Sequence, residues 1–154
     1  MVNILMVCLG NICRSPLADG LLRDKVLQKK LAVNVDSAGT ANYHIGGAPD
    51  LRMTQTAQNN GIDISGLRAR QFEVSDFDKF DWIYVMDQSN FTNVTRMARH
   101  EMDAKKVKLI LSELEGSNDR EVPDPYYGEQ DGFDRVYEML DQATEQILIK
   151  LLND

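Results

Sequence analysis

The chain is poor in several residues that would announce particular chemistries. It has two cysteines, Cys8 and Cys13, five positions apart and in one short stretch. That excludes a disulfide framework and points to a reducing compartment. It has two histidines, His44 and His100, far apart and without close-spaced partners, so a zinc site built from them and the two thiols is disfavoured. Basic residues are outnumbered, 17 Lys and Arg against 24 Asp and Glu, for a net charge of −7. An acidic body argues against nucleic acid or an anionic membrane as the main partner. No apolar run is long enough to span a bilayer, and the apolar start carries no basic n-region. Repeats, linkers and low-complexity segments are also missing. The expectation is one domain over residues 1–154, cytoplasmic and not membrane-bound, with core enough to fold on its own.

What the chain does have is Val7-Cys8-Leu9-Gly10-Asn11-Ile12-Cys13-Arg14-Ser15-Pro16. An apolar run, Val2–Val7, leads into it and a helical pattern leaves it. The stretch is therefore a loop joining a strand to a helix N-terminus, where free backbone N–H groups and the positive dipole end favour an anion. Ser15 suits the N-cap and Pro16 the first helical position. Gly10 and Asn11 are the residues best able to take positive φ. Arg14 brings a planar fork that matches two phosphoryl oxygens. A thiol at the floor of such a field is favoured as a thiolate nucleophile, and Ser15 can reach back to it. The plain alternative is a buried structural Cys beside a surface Arg; the strand and helix on either side of the motif weigh against it.

These residues carry a family resemblance. Cys8 to Pro16 resembles the signature loop of the low-molecular-weight protein tyrosine phosphatases. Asp36-Ser37-Ala38-Gly39-Thr40, Ala69-Arg70-Gln71, Met86-Asp87-Gln88-Ser89-Asn90 and Asp124-Pro125-Tyr126-Tyr127-Gly128 resemble further blocks in family order. The resemblance implies Cys8 as nucleophile, Arg14 as phosphoryl ligand and Asp124 as general acid and base. Read by itself, Asp124 between Pro123 and Pro125 fits either a surface turn or a proton donor on a stiffened loop. Tyr126 and Tyr127 offer aromatic surface for a flat substrate. Tyr43 resembles the family's aromatic specificity position. The loop residues Leu9, Gly10, Asn11, Ile12, Cys13 and Ser15 complete the implied substrate site, with Leu9 and Ile12 on its rim. Cys13 reads equally as a small buried hydrophobe or as a thiol that traps an oxidised Cys8. Asp87 reads as a helix cap or a support for the loop. One departure stands out: where the family often has a His supporting the loop Asn, this chain has Leu67.

The pattern of elements favours an α/β three-layer sandwich. A central four-stranded parallel sheet has helices on both faces, and the phosphate-binding loop follows strand 1. Strands are expected at Val2–Val7, Ala32–Asp36, Asp81–Met86 and Val107–Leu111. Helices are expected from Pro16 to about Leu31, from Pro49 or Asp50 to about Asn60, and from Ser89 to about Arg99. A long polar loop, Glu113 to Gly132, precedes a last helix with Phe133, Val136, Tyr137, Leu140, Ile147, Leu148 and Leu151 inward. Trp82 and the Met residues at strand or helix spacing read as core. The ligand belongs beyond the carboxyl ends of the strands, where Cys8 falls.

The implied activity is hydrolysis of phosphotyrosine in proteins through a phosphocysteine, releasing inorganic phosphate, with no cofactor and no metal. The protein is expected to be mainly a monomer or a weak self-associate. An arsenate reductase on the same fold is disfavoured because no cysteine follows Cys13. A protein arginine phosphatase is the nearer alternative; Ile12, where that group carries Thr, and the aromatic acid loop speak against it. A non-hydrolytic phosphoryl carrier would need the Cys loop but not Asp124. A dithiol redox module is disfavoured because the thiols lack C-x-x-C spacing.

Overall fold

The computed structural model describes residues 1–114, 120–126 and 128–153. Among these the sheet has four parallel strands: β1 (Val2–Cys8), β2 (Val33–Gly39), β3 (Trp82–Val85) and β4 (Val107–Leu109), in the order β2-β1-β3-β4. The helices are α1 (Arg14–Gln28), α2 (Leu51–Asn59), α3 (Asp76–Lys79), α4 (Gln88–Arg96), α5 (Glu101–Lys105) and α6 (Gln130–Leu152).

β1 is central, and its period-2 alternation sorts the core into two layers. Ile4, Met6 and Cys8 face α1, α2 and α6, in a cluster with Leu17, Leu21, Met53, Phe133 and Leu140. Leu5 and Val7 face the other way, against Phe77 of α3 and Val94 of α4. The three-layer sandwich is therefore as expected, with helices on both faces. The inward stripe of α6 is also as expected, except that Tyr137 is only half-buried.

Several boundaries differ. α1 starts at Arg14, not Pro16, and Ser15 is not its cap: Cys13 holds the cap position, and no side chain caps the helix. The Ser15 hydroxyl is spent on Cys8 and Asn11 instead. α1 also ends early, because Lys30 turns into the left-handed region at φ 54°. A lysine there gives no stop signal in the sequence. β2 runs on to Gly39. β4 stops at Leu109, and Ile110–Glu113 winds into a 3₁₀ turn. α3 and α5, four and five residues long, are too short for periodicity to reveal. α2 behaves as its sequence predicts: Asp50 Oδ1 accepts from the N–H groups of Arg52 at 2.8 Å and Met53 at 3.3 Å.

Candidate active site

The site forms where β1 ends. Asn11 is the one loop residue in the left-handed region, at φ 59°; Gly10 does not take the positive φ expected of it. That single reversal wraps the backbone around the sulfur. The Asn11 N–H donates to Cys8 Sγ at 3.2 Å, and Ser15 Oγ lies 3.0 Å from the same sulfur. Asn11 Nδ2 donates to Ser15 Oγ at 2.7 Å, which leaves the Ser15 proton to be shared between Cys8 Sγ and the Ala38 carbonyl, 3.4 Å away. Asn11 Oδ1 accepts the Arg70 backbone N–H at 3.0 Å.

The segment after β2 and the start of α2 brace the loop from outside. Cys8 and Leu9 carbonyls accept the N–H groups of Thr40 and Ala41, both at 2.9 Å, and the Ile12 carbonyl accepts that of Asp50 at 2.8 Å. Gly39 closes the end of β2 directly against the loop. A Cβ there would stand 2.7 Å from the Leu9 carbonyl oxygen and 3.1 Å from the Asn11 nitrogen. Only glycine permits that approach.

Arg14 is buried, with 2 % of its surface exposed. Its Nη1 donates to Asp87 Oδ2 at 2.7 Å and to the Val122 carbonyl at 3.0 Å, and its Nη2 lies 3.6 Å from Asp124 Oδ2. Burial alone would weaken its hold on the proton; Cys8, Asp87 and Asp124 outweigh that, and the guanidinium stays charged above its ordinary range. Asp87 fills both of the roles its sequence position allowed: Oδ1 caps α4 by accepting the Asn90 N–H at 2.8 Å, while Oδ2 fixes Arg14.

Cys8, Arg14 and Asp124 line one cavity, with Leu9, Gly10, Ile12 and Cys13 from the loop and Tyr43 and Tyr126 at the mouth. The cavity measures about 60 Å³, well below the roughly 300 Å³ of a typical small-molecule pocket. It suits one compact anionic group. Asn11 and Ser15 lie behind the sulfur rather than on the cavity wall. Both cysteines are free thiols. Burial pushes the Cys13 thiol far up, with Asp50, Cys8 and Asp124 adding to it. Tyr127, expected in the substrate site, lies outside the described residues.

Two site residues escaped sequence reasoning. His44 also lines the cavity, with its ring 6.1 Å from that of Tyr126. Its sequence position next to Tyr43 was the only available signal. Arg52 grips the backbone of the segment that bears Asp124, donating to the carbonyls of Tyr126 and Gly128. Nothing in the sequence links residue 52 to residues 126–128. Among the described residues no group of three or more His, Cys, Asp or Glu is placed to hold a metal ion, and no helix is long and apolar enough to cross a membrane.

Fold and site together define an α/β protein with a thiol-floored anion cradle at the carboxyl edge of a parallel sheet. A family model described as low molecular weight phosphotyrosine protein phosphatase matches residues 3–154. The low molecular weight protein-tyrosine-phosphatase YfkJ of Bacillus subtilis is 37% identical over 153 residues, covering 98% of this chain and 96% of that protein. The Homo sapiens low molecular weight phosphotyrosine protein phosphatase is 36% identical over 150 residues, covering 96% and 94%. A crystal structure of a protein tyrosine phosphatase from Entamoeba histolytica superposes with a TM-score of 0.93 at 35% identity, covering 99% of this chain and 98% of that one. The chain belongs to the low molecular weight phosphotyrosine protein phosphatase family, and it is a phosphatase.

Proposed function

We propose that this phosphatase removes phosphate from tyrosine in proteins by two displacements at Cys8. In the first, the Cys8 thiolate attacks phosphorus and the bond to the tyrosine oxygen breaks. Asp124 gives its proton to that oxygen, so tyrosine leaves neutral. In the second, Asp124 takes a proton from water as the water oxygen attacks the phosphocysteine. The sulfur–phosphorus bond breaks, inorganic phosphate leaves and the thiolate is restored. Arg14 and the loop amides hold the equatorial oxygens throughout. The Asn11 N–H and Ser15 hydroxyl stabilise the sulfur anion as it departs.

The observation that carries this reading is convergence: the Cys8 sulfur, the Arg14 fork and the Asp124 carboxylate, brought from residues 8 to 124, line one small cavity. Tyr43 and Tyr126 at its mouth favour a flat aromatic leaving group over a flexible one. The thiol must stay reduced to act, which supports work in the cytoplasm. One two-faced core around one sheet supports a single domain, and the net charge of −7 favours a monomer or weak self-associate over stable assembly.

The test is chemical. Radiolabelled phosphotyrosine peptide, quenched in alkaline denaturant during turnover, should leave alkali-stable, iodine-labile label on the wild type and none on Cys8→Ala. Phosphotyrosine peptides should be turned over in strong preference to phosphoserine and phosphoarginine peptides. Label retained by Cys8→Ala would overturn the nucleophile, and preference for phosphoarginine would overturn the substrate.

A further inference from the structure

The segment bearing Asp124 is held at both ends. On its N-terminal side the Val122 N–H donates to the Met86 carbonyl at 2.8 Å, its carbonyl accepts from Arg14, and Glu121 Oε2 accepts the Gln88 N–H at 2.7 Å. On its C-terminal side Arg52 supplies a two-point grip. Arg52 Nη2 donates to the Tyr126 carbonyl at 2.6 Å and Nη1 to the Gly128 carbonyl at 3.1 Å. The guanidinium also lies 4.6 Å from the centroid of the Phe133 ring and 5.8 Å from that of Tyr126.

Arg52 is itself aimed. Asp50 accepts from it, with Nη2 to Oδ2 at 3.3 Å. Asp50 also caps α2 and donates its own N–H to the Ile12 carbonyl of the cysteine loop. The acid-bearing segment is thus referenced to the cysteine loop through Asp50 and Arg52. The last link reaches the carboxylate: the Tyr126 N–H donates to Asp124 Oδ1 at 3.0 Å. With Oδ1 tied, Oδ2 is the oxygen turned toward Arg14.

We propose that Arg52 is a positioning residue for the proton-transfer step: by holding the Tyr126 carbonyl it fixes that residue's backbone, so that the Tyr126 N–H sets the Asp124 carboxylate at the mouth of the Cys8 cavity. The inference rests on the reading of Asp124 as the acid. Arg52 touches neither the cavity floor nor the phosphoryl site, so its loss should spare anion binding and affect protonation of the leaving group. A lysine offers one point charge and cannot span two carbonyls in the same plane.

The experiment compares Arg52→Met, Arg52→Lys, Asp124→Asn and the double variant Arg52→Met/Asp124→Asn. Methionine keeps an unbranched stem against Phe133 and Tyr126, which protects folding. The readout is kcat/KM for two aryl phosphates, one with a strongly basic leaving phenoxide and one with a nitro-substituted, weakly basic one, together with the inhibition constant of inorganic phosphate. Arg52→Met should lose about tenfold or more on the basic leaving group, in line with the cost of small misplacements. It should lose little on the nitro-substituted one, with phosphate inhibition unchanged. Arg52→Lys should behave nearly alike. The double variant should lose no more than Asp124→Asn. Equal loss on both substrates, no loss, or additive loss in the double variant would overturn the role of Arg52. A flat leaving-group response in Asp124→Asn itself would overturn the acid assignment, and the role of Arg52 with it.

Discussion

Asn11 and Arg70, 59 residues apart, are joined by one hydrogen bond, the Arg70 backbone N–H donating to Asn11 Oδ1 at 3.0 Å. The bond shows what holds the loop here, where Leu67 can offer no side-chain hydrogen bond. A main-chain amide supplies it, and no side-chain substitution at 67 can delete that. Leu67 is half-buried and packs on the core instead. The segment around Arg70 is rigidly held in turn. Its guanidinium is shared between Asp36 and Asp76, and its carbonyl accepts the Gly39 N–H at 2.8 Å.

Asn11→Gly and Asn11→Ala separate the two duties of this residue. Both leave the Arg70 N–H without its acceptor, at about 1–3 kcal/mol for a buried unsatisfied group, and take one donor from Ser15 Oγ. Alanine must in addition hold φ 59°, which costs roughly 1–2 kcal/mol more. The glycine variant should therefore be the more stable in denaturant melts, while both lose at least about tenfold in kcat/KM. A glycine variant with wild-type kinetics would reduce Asn11 to a turn residue.

The cradle was legible in the sequence because its parts are contiguous. Cys8, Asn11, Arg14 and Ser15 fall within eight positions, and a strand and helix on either side fix what such a loop can do. The alternation of Ile4, Met6 and Cys8 with Leu5 and Val7 made the two-faced sheet equally readable. What stayed hidden depends on contacts that sequence spacing does not encode. Arg52 finds Tyr126 across 74 residues, and Gly39 is needed only because the loop passes against it. The Ser15 cap was a sound local inference that lost to a stronger partner, since its hydroxyl serves the sulfur.

Gly39→Ala tests that close approach. The three atoms nearest the added methyl are all loop backbone: the Leu9 oxygen at 2.7 Å, the Gly10 carbon at 3.0 Å and the Asn11 nitrogen at 3.1 Å. No side chain can swing aside, so the cradle itself must shift. Overpacking of this kind costs about 1–3 kcal/mol, and displacement of the cradle should cost on the order of a hundredfold in kcat/KM. Gly66→Ala, where a Cβ meets nothing within 4 Å, is the matched control and should be silent. Wild-type phosphate affinity in Gly39→Ala would show that the loop accommodates the methyl.

Arg14→Lys should be nearly as damaging as Arg14→Ala. In the wild type Nη1 is committed to Asp87 and the Val122 carbonyl, leaving the rest of the fork for the phosphoryl oxygens. An ammonium cannot do both, and either choice leaves Asp87 or the anion without its partner. Loss of a preorganised donor of this kind is worth about a hundredfold to a thousandfold. Steady-state kinetics within a fewfold of wild type for the lysine variant would make Arg14 a steering charge only.

Asp19 gives the protein a pH-dependent stability unrelated to catalysis. It is fully buried on α1, where burial pushes its carboxyl up to about 6 even though Arg23 pulls the other way. Arg23 bonds Asp19 Oδ1 at 2.9 Å and the Val35 carbonyl at 2.9 Å, but half of its side chain is in solvent, so the ion pair does not repay the desolvation. The sign follows from proton counts. Between the ordinary aspartate value near 3.9 and about 6 the folded state holds a proton that the unfolded chain has released, so stability falls as pH rises. The contribution is complete below about pH 4 and gone once pH has passed about 6. A rise of that size is worth about 3 kcal/mol at most. Asp19→Asn is neutral throughout and nearly the same shape. Measured in urea from pH 4 to pH 8, its stability relative to wild type should climb by about 1–3 kcal/mol across the window and then level off. Kinetics on phosphotyrosine should stay within a fewfold, because Asp19 does not line the cavity. A stability difference that does not change with pH would mean that Asp19 is ionised in the folded protein across the whole range, with Arg23 compensating its burial in full.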